Sequence, residues 1–139
     1  MIDDTVGLNR RLLIEARRMT KQHERLGMLW TALLEPLAND DLEGARRPLE
    51  VLADGLRAHF SVEEDVEFPA LHRGDPARSA ALQRIIEEHV HFRKTLDRMQ
   101  ALVARSDLEG LSEAAAELAA EMSDHEAREE ALFKGRPPT

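Results

Sequence analysis

There is no cysteine among the 139 residues, and no tyrosine. The first absence excludes disulfides, thiolate-bound zinc, iron–sulfur ligation and a cysteine nucleophile. The second excludes a tyrosyl radical. One Trp and four Phe make aromatics only 4% of the chain, too few for a platform on which nucleic-acid bases stack. Basic charge is in deficit too: 19 Lys and Arg face 27 Asp and Glu, a formal charge of −8. Such a domain repels a phosphate backbone and an anionic bilayer. No apolar run approaches the span of a bilayer. The opening MIDDTVGLNRR has acids where a leader needs bases, with no apolar stretch behind it. The expectation is a soluble, cytoplasmic protein with no nucleic-acid or membrane partner. Its length suits one domain over 1–139.

What the chain does have is helix-forming composition, with few β-branched residues. Breakers cut it at 36–41 (PLANDD), 69–76 (PALHRGDP) and 105–107 (RSD). This predicts helices over about 8–37, 42–68, 76–104 and 108–133, with a tail at 134–139. Asp41, Asp75 and Asp107 are candidate N-caps, and Pro76 suits a first helical position. Pro48 requires the second helix to kink or to start nearby.

Each piece carries an apolar stripe with steps of three and four. The first is Leu12, Ala16, Met19, His23, Leu26, Trp30, Leu33, Leu37. The second is Leu49, Leu52, Leu56, His59, Glu63, Val66. The third is Leu82, Ile85, His89, Phe92, Leu96, Met99, Val103. The fourth is Ala115, Leu118, Met122, His125, Glu129, Leu132. Four such stripes joined by short loops predict an all-α, antiparallel up-down four-helix bundle.

The halves repeat. A shift of 66 residues places DLEG at 41–44 on DLEG at 107–110, His59 on His125, and Glu63-Glu64 on Glu129-Glu130. The same shift puts His23 on His89. The helix pairs are therefore expected to be related by a pseudo-two-fold axis.

The only polar residues in the stripes are His23, His59, Glu63, His89, His125 and Glu129. A buried carboxylate is costly unless it is paired or binds a metal. Residues four apart share a helix face, about 5–6 Å apart at Cβ, so His59/Glu63 and His125/Glu129 each aim at one point. All six fall at a similar depth from the breaks. A hydrogen-bonded polar core is the plain reading of one such residue, but it explains six poorly. Four imidazoles and two carboxylates exceed the needs of one tetrahedral ion and suit a dinuclear site. Nitrogen and oxygen donors without sulfur favour Fe, with Mn or Zn as alternatives. Six side chains shared by two octahedral ions leave positions for an exogenous ligand.

The motifs resemble the hemerythrin-like, or HHE cation-binding, family. They are His23 in QHERL, HFSVEEDVEFP at 59–69, EEHVHF at 87–92 and HEAREEALF at 125–133. The resemblance implies two Fe ions, oxo- or hydroxo-bridged, held by His23, His59, Glu63, His89, His125 and Glu129, with both Glu bridging. Oxygen-carrying members have a further His four residues after the third-helix ligand; here Arg93 stands there, and guanidinium cannot ligate. Carriers use an Asp five residues after the fourth-helix His, where this chain has Glu130. Glu129 sits about 40° around the helix from His125 and Glu130 about 140°, so Glu129 is the expected ligand.

The implied function is a di-iron protein that binds or reacts with O₂, NO or peroxide, as a sensor, scavenger or redox protein. An enzyme of that kind, a peroxidase, oxidase or NO-reactive protein, needs an electron-donor partner. Iron storage or delivery is the alternative. The repeat predicts two metal positions of similar coordination. Of the remaining residues, His91 is expected to pair with Glu87 on the surface, and His72 to lie in the loop. Arg93 either holds Glu63 or Glu129 or is exposed. Glu64 and Glu130 are expected to lie outside the ligand set, and Trp30 and Phe92 in the core.

Overall fold

A computed structural model describes residues 21, 23–71 and 76–133 of the chain. Leu12, Ala16, Met19, His72, the Asp75 cap, the start of the first helix and the tail lie outside the described residues. Among the described residues there is helix and no strand. Helix α1 covers 23–38. Helix α2 spans Leu42–Val62 and passes into a π-helical turn, Glu63–Glu67, then into the short α3, Phe68–Leu71. Helix α4 spans Pro76–Ala104 and α5 spans Leu108–Phe133. The architecture is the four-helix bundle that the periodicity predicts. Pro48 lies inside α2 and does not end it.

Two corners with the same chemistry reverse the chain. At the end of α1, Asp40 N–H bonds the Leu37 carbonyl and Asp41 N–H bonds the Pro36 carbonyl at 2.9 Å. At the end of α4, Ser106 and Asp107 bond Val103 and Leu102 in the same pattern. These paired bonds satisfy carbonyls that a helix end leaves open. Asp40 and Ser106 take left-handed φ values of 53° and 57°. The next residue then caps the following helix: Asp41 accepts from Gly44 N–H at 2.8 Å and Asp107 from Gly110 N–H at 2.9 Å. The cap carboxylate lies so close that a Cβ at Gly44 or Gly110 would collide with it. The repeated DLEG is thus a turn-and-cap device, used once per helix pair.

The stripes turn inward. From α1, Leu26, Trp30, Leu33 and Leu37 are buried; from α4, Leu96, Met99 and Val103; from α5, Ala115, Leu118 and Met122. With Leu49, Leu52, Leu56 and Phe60 of α2 they form the larger apolar cluster. A smaller one contains Phe68, Leu82, Ile85 and Leu132. The layer of histidine and glutamate lies between them in the helix register. Each residue of the larger cluster on α2 and α5 precedes His59 or His125 or, at Phe60, stands beside it, while Phe68 and Leu132 follow.

One stripe departs from its prediction. Val66 is 61% exposed, whereas Glu67 is 2% exposed. The cause is the π-helical turn, where Phe68 N–H reaches back five residues to the Glu63 carbonyl. Four residues of α-helix overshoot a full turn by about 40°. A wider π turn rotates the chain less per residue, which cancels that drift and brings Glu67 inward at the expense of Val66.

Candidate metal centre

Each of the four long helices supplies a histidine: α1 His23, α2 His59, α4 His89 and α5 His125. Glu63 begins the π turn one step of four beyond His59, and Glu129 stands one such step beyond His125 on α5. All six are buried. Their ligand atoms converge in two groups, each with all its atoms within 4.8 Å of one another. The larger is Glu63, His89, His125 and Glu129; the smaller is His23, His59 and Glu129. Glu129 belongs to both. Glu63 Oε1 also faces both sides, 2.9 Å from His59 Nε2 and 3.5 Å from His89 Nε2. Each side thus has two imidazoles, with both carboxylates within reach.

The donor atoms fit a metal. The Nε2 atoms of His23, His59, His89 and His125 and both oxygens of Glu63 and Glu129 are buried and make no hydrogen bond. Atoms of this kind would each cost of the order of 1–3 kcal/mol or more if nothing bound them. Imidazole nitrogen and carboxylate oxygen are the donors that first-row transition ions accept. Aromatic rings wall the layer: Phe60 stacks on His89 with centroids 4.2 Å apart, Phe68 stacks at 6.0 Å, and Phe92 meets His125 edge-on at 4.9 Å.

Burial sets the protonation states. It lowers the pKa of His23, takes His59 down to about 4 and His125 down to about 2. These imidazoles are neutral near pH 7, as ligation requires. Burial also pushes Glu63 up to about 7, against the pull of His89. Glu126, beside the centre on α5, rises to about 7 through burial and the nearby charges of Glu130 and Glu63.

Carboxylates face the outer nitrogens of three of the imidazoles. His89 Nδ1 is 3.5 Å from Glu64 Oε2, which Arg93 grips with two hydrogen bonds of 3.2 and 2.5 Å. His125 Nδ1 is 3.6 Å from Glu88 Oε1, and Arg128 grips Glu88 in the same two-pronged way. His23 Nδ1 is 3.4 Å from Glu130 Oε1. Partners of this kind fix ring orientation and raise ligand basicity. Burial raises the Glu64 pKa, but the hydrogen bond and charge of Arg93, with His89, outweigh it and leave the carboxyl below its ordinary value.

Several side chains lie elsewhere than predicted. Arg93 holds Glu64, not Glu63 or Glu129, and its guanidinium lies 5.5 Å from the Phe60 ring centre. His91 is exposed and pairs with Glu121 across the groove to α5 at 2.6 Å, not with Glu87. Glu64 and Glu130 do lie outside the convergent groups, and Trp30 and Phe92 are core residues. Two acids have no place in the sequence prediction: Glu88, which faces His125 and for which the sequence carries no signal, and Glu67, which is buried at the end of the π turn that Glu63 begins. For Glu67 a signal exists, because His59, Glu63 and Glu67 form a ladder with steps of four.

The Hemerythrin HHE cation binding domain family matches residues 15–136. The chain therefore belongs to the hemerythrin family of cation-binding domains. No curated protein and no solved structure matches it. Family membership and the buried His/Glu cluster together make it a metal-binding bundle with donors suited to iron. No described helix is long and apolar enough to cross a membrane.

Proposed function

We propose that the chain is a non-haem di-iron protein that binds or reacts with O₂, NO or peroxide, as a sensor, scavenger or redox protein instead of a pure oxygen carrier. His23, His59, Glu63, His89, His125 and Glu129 would hold the two ions. The observation that carries this reading is the sharing of Glu129 by two convergent buried donor groups. When bound, a metal pair of this type supplies redox chemistry and coordination positions that protein side chains leave open.

The protein residues do the rest. The imidazoles of His23, His59 and His125 are presented neutral. With its pKa raised to about 7, Glu63 carries a proton below that pH, and ligation then displaces it. Glu64 and Glu88, gripped by arginine, hold the His89 and His125 rings in place. Phe60, Phe68 and Phe92 restrict water. A groove of about 510 Å³ between α1 and α2 reaches His59; Leu26, Leu29, Val51, Ala58 and Val62 line it together with the charged Arg25, Arg47 and Asp54. Arg93 occupies the position of the carriers' extra histidine and is committed to Glu64, which argues against simple carriage. Catalytic turnover would call for an electron-donor protein, and a cytoplasmic location belongs to the same proposal.

The test is anaerobic diferrous protein mixed with O₂, or separately with NO, followed by stopped-flow absorption and then degassed. Reaction with no return of the diferrous spectrum supports the proposal. Full return identifies a carrier. No reaction with any of the ligands identifies storage or delivery of iron.

A further inference from the structure

Glu67 is a buried acid that the six-residue ligand set does not use. Its neighbours in sequence show how unusual its placement is. Val66, an apolar residue, is 61% exposed, and Glu67, a charged one, is 2% exposed. Hydrophobicity alone would reverse them. Such a conflict between local sequence and tertiary placement is characteristic of functional sites, as are single π turns within α-helices. The turn Glu63–Glu67 is what makes the exchange.

Three observations direct Glu67 to one side of the centre. It continues the ladder His59, Glu63, Glu67, and the π turn cancels the rotation that would otherwise carry the third rung away. Its negative charge acts on His59. The paired imidazoles and the carboxylates of Glu63 and Glu129 are matched on the two sides, so a carboxylate present on one side alone would set them apart. In the internal repeat, Glu67 corresponds to Phe133, so the other half has no carboxylate there.

We propose that Glu67 is a seventh protein ligand, belonging to the metal position built by His23 and His59. Its carboxylate lies outside the convergent group in this structure and joins by side-chain rotation when an ion is present. The two positions are then chemically distinct. One has a carboxylate of its own besides the shared ones; the other has imidazoles backed by arginine-gripped carboxylates. The inference rests on the dinuclear reading above, so its test begins with the unmodified chain.

Ferrous iron is titrated anaerobically into unmodified protein, Glu67→Gln and Glu67→Leu against a competing chelator, with iron content measured after desalting. Melting of the metal-free forms is recorded beside it. Two ions in the unmodified chain preserve the dinuclear reading; fewer than two overturn that reading and this inference with it. Given two ions, the proposal expects both variants to bind one ion normally and the other at least about tenfold more weakly. Metal-free Glu67→Gln, which keeps the size and hydrogen-bonding capacity of the side chain, should melt close to the unmodified protein. Two ions of unchanged affinity in both variants overturn the proposal, as does a loss of affinity matched by a loss of metal-free stability. If neither variant folds, anomalous diffraction from the loaded unmodified protein decides: a Glu67 oxygen at about 2 Å from one ion supports the assignment, and separation from both ions overturns it.

Discussion

The half built from α1 and α2 and the half built from α4 and α5 share a scaffold but not a site. Both turn through the same pair of backbone bonds, cap the second helix with the Asp of DLEG, and present a histidine and a His-x-x-x-Glu pair. The Glu64–His89 contact has its repeat counterpart in Glu130–His23. The arginines do not repeat. Arg93 corresponds to Gly27, and Arg128 to Val62. Among the described residues, Glu130 therefore lies beside His23 without the arginine grip that Glu64 receives. The halves differ again where α2 takes its π turn and α5 stays α-helical, so that Val66 is exposed and its counterpart Leu132 is buried. Turn and cap chemistry depends on a few backbone bonds and is easily duplicated. Outer partners depend on long side chains crossing between helices, and these can differ without disturbing the corners.

The largest test of this comparison removes what the halves share. Glu129→Ala should abolish binding of both ions, read as iron per chain after anaerobic loading. The metal-induced stabilisation should vanish with it, about 4 kcal/mol when free metal stands at a thousandfold its dissociation constant. Retention of one tightly held ion would show that the halves bind independently.

Removing the unshared arginines should affect one side only. Arg93→Met together with Arg128→Met should weaken one of the two binding steps by about 10–100-fold and leave the other unchanged. Two equally weakened steps would show that the outer partners act on the pair as a unit.

Acidity should separate loading from folding. With Glu63 raised to about 7, loading below that pH must displace its proton, so affinity should fall by up to about tenfold per pH unit below 7. Calorimetry in buffers of different ionisation enthalpy would count that proton; none released at pH 6 would contradict it. In the metal-free protein, lowered pKa values at His23, His59 and His125 mean that the unfolded chain takes up protons first as the pH drops below about 6.5. Those groups lower stability as pH falls. Glu63 and Glu126, raised to about 7, bind protons first in the folded state and oppose them down to about 4.5. The metal-free protein should therefore lose stability most steeply below about pH 4.5, where the opposition of Glu63 and Glu126 ends and Glu64, whose carboxyl lies below its ordinary value, adds to the histidine contribution.

The smallest effects belong to the duplicated corners. Asp41→Ala and Asp107→Ala should each cost about 1 kcal/mol, by similar amounts and with iron content unchanged. A large difference between them would show that one corner carries more of the fold than the other.

By itself the sequence determined the helices, the inward stripes and the six polar residues within them. Each of these follows from local periodicity and from the cost of burying a charge, and both are written in the order of residues. His23, Leu26 and Trp30, or His89, Phe92 and Leu96, can be placed on one face from spacing alone. Only the tertiary structure decided that Arg93 reaches Glu64, that Glu88 faces His125 and that His91 meets Glu121. Those pairings join side chains from different helices, and their geometry depends on helix rotation and separation. It also decided that Glu67 lies inside and Val66 outside. A uniform α-helical pitch places Val66 in the stripe, the ladder of fours places Glu67 there, and the wider turn formed in the fold decides between them.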